Sequence, residues 1–240
     1  MEWGQDKLYD DSYKKTLPYI LESFYYADGD TERLIPYMGD FLLDSGAFTF
    51  MQNSKSHINW NEYIERYADF IKRNKVEKFF ELDIDSVIGY KKVLEYRKTL
   101  ERLTGKQCIP VWHKSRGIEE YLKMCEMYEY AAIGGIVAKE IKPEQYSVFP
   151  RMIKEAKERN CRIHGLGFTN LKLLPKCHFY SVDSTSWTTG NRFGYLYKFD
   201  GKTIIQVKPP KGHRIAKPKE AALNNFNEWV KFQEWADTHL

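Results

Sequence analysis

Paired cysteines are missing from this chain. The four cysteines, at positions 108, 125, 161 and 177, form no C-x-x-C and have no histidine at ligand spacing. Disulfides and a structural zinc site are therefore not expected, and a reducing, cytoplasmic compartment is. Long apolar runs are missing too. None approaches the ~20 residues of a membrane span, and the opening MEWGQDK has no apolar core of a signal peptide. No membrane partner is expected. Charge of one sign is scarce: a net +4 over 240 residues is mildly basic, short of a purely electrostatic nucleic-acid binder. No G-x-G-x-x-G occurs, which disfavours a dinucleotide cofactor. Linkers, internal repeats and low-complexity stretches are also absent, so residues 1–240 read as one domain with ample chain to bury a core.

What the chain has in quantity is aromatic residues, 15% of the total. In a core they pack; in a cleft they stack on bases. Residues 1–15 are polar and charged and read as an arm. Apolar runs at 18–27, 41–44, 78–83, 108–111, 130–133, 162–164 and 179–182 read as strands. Between them, helices are predicted over 59–74, 87–103, 118–128 and from Pro143 to about 159. The first shows Trp60, Tyr63, Ile64, Tyr67, Phe70 and Ile71 on one helical face, and Thr104-Gly105 stops the second. Residues 49–58 read as a polar loop. Thr169-Asn170 is expected to start a one-turn helix ended by Pro175. Asp200-Gly201 is a hairpin signal, and either arm, 195–199 or 203–208, is a candidate eighth strand. Residues 208–219 form a basic, proline-rich loop, followed by a helix from about Lys219. Strands alternating with helices throughout predict α/β architecture, with a single (β/α)8 TIM-type barrel favoured over a doubly wound sheet.

Three apolar runs end in acids: Asp44-Ser45-Gly46, Asp83-Ile84-Asp85 and Asp183-Ser184. In a barrel, strand C-termini carry the active site. Two carboxylates there can divide the work of nucleophile and acid/base, as in retaining glycosyl transfer. Strand-end aspartates also cap turns and helices, and both readings are open. Gly134-Gly135 and Gly165-Leu166-Gly167 stand at strand ends, where glycine admits a base or a phosphate close to the backbone. Trp112-His113 and His164 are candidates to stack on or recognise a ligand. Lys208, Lys211 and Arg214 are candidates to grip phosphates.

In order, these motifs resemble the tRNA-guanine transglycosylase superfamily, most closely the short phage and bacterial relatives that insert 7-deazaguanines into DNA. Leu43-Asp44-Ser45-Gly46-Ala47-Phe48 is similar to the family's aspartate-serine-glycine-glycine-phenylalanine motif, with alanine for the second glycine. Phe80-Glu81-Leu82-Asp83 falls at the base-recognising aspartate. Trp112-His113 replaces the family's glutamine-glycine. Ala132-Ile133-Gly134-Gly135-Ile136 and His164-Gly165-Leu166-Gly167 match two further segments, and Val182-Asp183-Ser184 falls at the nucleophile. The resemblance spans residues 40–187 and lacks the family's zinc-binding insertion, so no zinc or other cofactor is expected.

The resemblance implies that Asp183 attacks C1′ of a guanosine and expels guanine. Asp44 then deprotonates an incoming preQ0-like 7-deazaguanine. Asp83, Asp85, Ser45, Gly46, Gly134, Gly135, Gly165 and His164 would surround the base, Phe48 would stack on it, and Trp112-His113 would tune its choice. The expected partners are DNA, with the target guanosine flipped or single-stranded, and the free base. The alternatives are a minimal tRNA enzyme, a DNA glycosidase using water, and a non-catalytic nucleic-acid-binding barrel.

Overall fold

Short parallel strands in two sheets set the architecture. The structure is a computed structural model that describes residues 16–53, 58–168, 170–193, 195–208 and 218–240, without the side chains of Phe48, Met51, Thr189, Asn191 and Arg192. The arm at 1–15 and most of the basic loop lie outside the described residues. One sheet has the order β1 (Tyr19–Ser23), β2 (Asp40–Asp44), β3 (Lys78–Phe79). The other has β4 (Val111–Trp112), β5 (Tyr130–Ile133), β6 (Arg162–Gly165), β7 (Ser181–Val182). All these pairings are parallel. A parallel bridge between Phe80 and Ile109 joins β3 to the approach of β4.

Helices fill the connections, as parallel strands require. They are α1 (Gly29–Leu34), α2 (Ala47–Asn53), α3 (Trp60–Arg73), α4 (Asp85–Ile88), α5 (Tyr90–Thr104), α6 (Gly117–Met127), α7 (Phe149–Lys157) and α8 (Leu174–Cys177). The face predicted for α3 is buried from Tyr63 to Ile71, and Asn59 caps its start by accepting from the Glu62 N–H at 3.3 Å. Gly105, at φ +70°, ends α5 in the left-handed region as its sequence position demanded.

Three local expectations are corrected. The polar loop expected from residue 49 is helical as far as Asn53, because Ser45 Oγ accepts the Ala47 N–H at 3.4 Å and starts α2. The helix expected over 87–103 is broken at Gly89, whose φ of +80° separates α4 from α5. Pro175 does not end a helix; it lies in the first turn of α8, where a missing N–H costs nothing.

After β7 come α9 (Ser186–Phe193), a hairpin of β8 (Leu196–Phe199) and β9 (Ile204–Val207), and α10 (Pro218–His239). The hairpin expected at Asp200-Gly201 is present. Among the described residues its arms pair only with each other, antiparallel, so neither joins the parallel strands. α10 packs on β8 and reaches back to β1. There Gln233 accepts from Tyr19 N–H at 2.7 Å and donates to Leu17 O at 3.1 Å. A side-chain amide thus satisfies backbone groups beside β1.

Alternation along the strands sorts the core. Leu43 and Phe79 pack with α3 and α5, and Trp112, Ala131, Ile133 and Ile163 pack with α6 and α7. The other face of the same strands forms a cluster without helical residues: Leu42, Phe80, Ile109, Val111, Tyr130 and Ala132, with Leu21 and Leu166 against it. Positions two residues beyond Leu21, Leu42, Val111 and Ala132 keep that direction, whereas Leu82, two after Phe80, turns into the cluster of α3 and α5. Those that keep it are Ser23, Asp44, His113, Gly134 and, two after Ser181, Asp183.

Candidate active site

Parallel pairing places every strand's C-terminal end on one side. Ser23 is in register with Asp44, Trp112 with Ile133, Ile133 with Gly165 and Gly165 with Val182. Asp44 ends β2, and Asp183 directly follows β7. The negative charge of Asp183 is felt at the Asp44 carboxyl. Burial pushes the Asp44 carboxyl up to about 6, with the negative charges of Asp83 and Asp183 adding to the effect and the Gly46 N–H opposing it. Gly46 donates to Asp44 Oδ2 at 2.9 Å. Tyr63 and Tyr67 back this strand end through bonds to Ser45 O (2.5 Å) and Leu43 O (2.9 Å).

Asp183 is held through one oxygen. Gly167 N–H donates to Oδ1 at 2.6 Å, and His164 Nε2 lies 3.2 Å from the same atom. His164 is buried beneath the mouth, its ring 5.4 Å from that of Phe80. From there it contacts Asp183, a partner the sequence did not assign to it.

Asp83 lies in an ionic network. His113 Nε2 is 2.6 Å from Asp83 Oδ1, and its Nδ1 is 3.2 Å from Glu140. Burial works against the imidazolium, but the hydrogen bond and charge of Asp83, helped by Glu140, prevail and raise His113 to about 9. His113 is thus a cation at neutral pH. Arg116 donates to Asp85 at 2.8 Å and to Glu81 at 3.2 Å, and stacks 4.3 Å from the Tyr90 ring. Beneath it the fully buried Glu81 also accepts from Arg97 at 2.6 Å and from Val111 N–H at 2.8 Å. An open cleft of about 990 Å³ adjoins the network, lined in part by Asp85, Tyr90, Lys114, Arg116 and Glu140.

Asp83, Asp85 and His113 bring ligand atoms within 4.8 Å of one another, a spacing that suits a metal ion. Their charge is already met: His113 serves Asp83, and Arg116 serves Asp85 with Nη2 3.8 Å from Asp83. A metal ion here would face a buried guanidinium, so the donor set fits an ion-pair network better than a metal centre.

The remaining expected residues divide. Trp112 points away from the mouth: it is buried, donates from Nε1 to Gly117 O at 2.8 Å and packs on Tyr121, because β4 alternation turns it toward α6. Ser45 is buried and occupied with α2. The Gly134 N–H is spent on Trp112 O at 2.8 Å, and a Cβ there would meet Val111 and His113. Gly135 takes φ +74° against Glu140. Gly165 sits under Phe168 and Phe179. Lys208 is exposed just beyond β9. Lys211, Arg214 and the Phe48 side chain lie outside the described residues.

Sequence reading missed Glu81, Arg116, Glu140, Tyr130 and Ser181 as parts of this region. Glu81 carried a usable signal: an acid between Phe80 and Leu82 in an apolar run demands a buried cation. Arg116 and Glu140 carried none, since surface charge is common in loops. No family model matches the chain, and no curated protein matches it.

Proposed function

We propose that this chain is a base-exchange glycosyltransferase that replaces guanine in DNA with a 7-deazaguanine, on parallel strands, seven among the described residues, that curve into one TIM-type barrel. The observation that carries the reading is the placement of Asp44 and Asp183 at the C-terminal ends of parallel strands, with the negative charge of Asp183 among those that raise the Asp44 carboxyl. The strand-only cluster beneath them, with members from both sheets, supports the barrel.

Asp183 attacks C1′ of the flipped guanosine with Oδ2, the oxygen that carries neither of its two supporting bonds. The C1′–N9 bond breaks and its electrons leave with guanine. Asp44, titrating near 6, supplies a proton to the departing base from its neutral form. The sugar is then an ester of Asp183. An incoming 7-deazaguanine loses its N9 proton to ionised Asp44 and attacks C1′, and the ester bond breaks. Two inversions give net retention, and no nucleotide energy source is needed. Asp83, oriented by its hydrogen bond with His113, presents an acceptor to the N–H groups of the base.

The test is incubation of the protein with DNA and a radiolabelled 7-deazaguanine. Label is expected in DNA, single strands being better substrates than duplex, and Asp183→Ala is expected to remove all incorporation while keeping the fold. Label in tRNA alone replaces the reading with a minimal tRNA enzyme. Abasic sites without label indicate a glycosidase, and binding without chemistry a non-catalytic module.

A further inference from the structure

A chain of hydrogen bonds runs from the centre of the strand cluster to Asp183. Tyr130 Oη lies 2.5 Å from Ser181 Oγ, Ser181 Oγ lies 2.6 Å from His164 Nδ1, and His164 Nε2 lies 3.2 Å from Asp183 Oδ1. Each member comes from a different place in the parallel order: β5, β7, β6 and the residue after β7. Tyr130 and His164 are buried.

For a neutral His164 imidazole facing an ionised Asp183, the direction of the chain follows from counting protons. A carboxylate can only accept, so His164 Nε2 carries its hydrogen. In a neutral imidazole Nδ1 is then bare and must accept. Ser181 has a single proton and gives it to Nδ1. Its lone pair is left for Tyr130, which donates. Burial raises the Tyr130 phenol above its ordinary value, so it keeps the proton it must give. Every donor has one acceptor, and reversing any bond leaves two hydrogens or two lone pairs facing each other.

We infer that Tyr130 and Ser181 are positioning residues that fix His164 as the Nε2–H tautomer, so that His164 and the Gly167 N–H together clamp Oδ1 of Asp183 and reserve Oδ2 for attack. This deepens the base-exchange reading and rests on it for the role of Asp183. The clamp orients the nucleophile before substrate arrives. It acts on the carboxylate and not on the base, so it governs turnover and not affinity.

Two measurements test it. The first is the ¹⁵N spectrum of histidine-labelled protein, with the His164 signals assigned by their loss in His164→Gln. The wild type is expected to show Nε2–H with bare Nδ1, and Ser181→Ala to lose that preference. A proton on Nδ1 in the wild type overturns the relay, whatever the protein's activity. The second is single-turnover release of guanine. Tyr130→Phe and Ser181→Ala are each expected to lower kcat about tenfold with KM unchanged, the rate equivalent of one neutral hydrogen bond. In a His164→Gln background, where the amide supplies a donor that needs no tautomer, the same two substitutions should have no further effect. Unchanged kcat, a change in KM alone, or an undiminished loss in that background means that the residues act by packing, and overturns the inference. Should the wild type exchange no base, the base-exchange reading falls and the ¹⁵N spectrum still decides the relay.

Discussion

Asp44 is an ordinary aspartate made to titrate near neutrality by burial and by two acidic neighbours. Its folded value, about 6, lies above its ordinary 3.8. Between those values the folded chain binds more protons than the unfolded one, so stability falls as pH rises from about 4 to 6 and stays lowered above. Asp44→Asn removes that cost. Urea denaturation at about pH 8 should show the variant more stable by about 3 kcal/mol, with the gap closing at about pH 4. The same titration divides the two half-reactions. Guanine release needs neutral Asp44 and should weaken above about pH 6; base uptake needs the carboxylate and should weaken below it. Single-turnover rates for the two halves, measured separately, check both signs. The Asp44 and Asp183 motifs were legible as a sequence pattern. The His113 charge was not, because Asp83 and Glu140 reach it from 30 and 27 residues away.

At the scale of elements, Gly46 links β2 to the mouth. Its φ is +64°, and a Cβ would stand 2.6 Å from both Ser23 Oγ and Tyr25 N. The Tyr25 atom is backbone and cannot yield cheaply. Gly46→Ala should therefore cost about 2–3 kcal/mol in denaturant titrations and disturb the bond it gives Asp44. Gly89→Ala is the contrast: the Cβ would meet open space, so only the backbone strain of φ +80° and ψ 149° opposes it, about 1–3 kcal/mol. The α3 stripe was readable because six apolar residues repeat at helical spacing. α2 was not, because AFTFMQN carries no such stripe and owes its start to a buried Ser45 cap.

For the whole molecule, Glu81 is the junction. Its N–H bonds Ile109 O at 3.0 Å, and its carboxylate takes Val111 N–H, Arg97 and Arg116. The first sheet, the second sheet, α5 and the turn before α6 meet on this one residue. Glu81→Ala strands the buried Arg97 guanidinium and takes one partner from Arg116, which keeps Asp85; the loss should cost about 3–5 kcal/mol as a single cooperative shift in the urea midpoint. A shift below about 1 kcal/mol would mean that the arginines find other partners. Among the described residues no helix is long and apolar enough to cross a membrane, as the polar sequence led one to expect.

The sequence by itself determined the alternation of strands and helices, the strand ends where acids and glycines gather, and the hairpin at Asp200-Gly201. These rest on periodicity and turn chemistry, which act over a few residues. Tertiary structure decided which faces those residues share. It turned Trp112 into the core, left β8 and β9, among the described residues, paired only with each other, placed His164 beneath Asp183 and drew Arg116 into the acids. Each outcome depends on partners remote along the chain, where only sheet register and burial choose between a ligand contact and a structural bond.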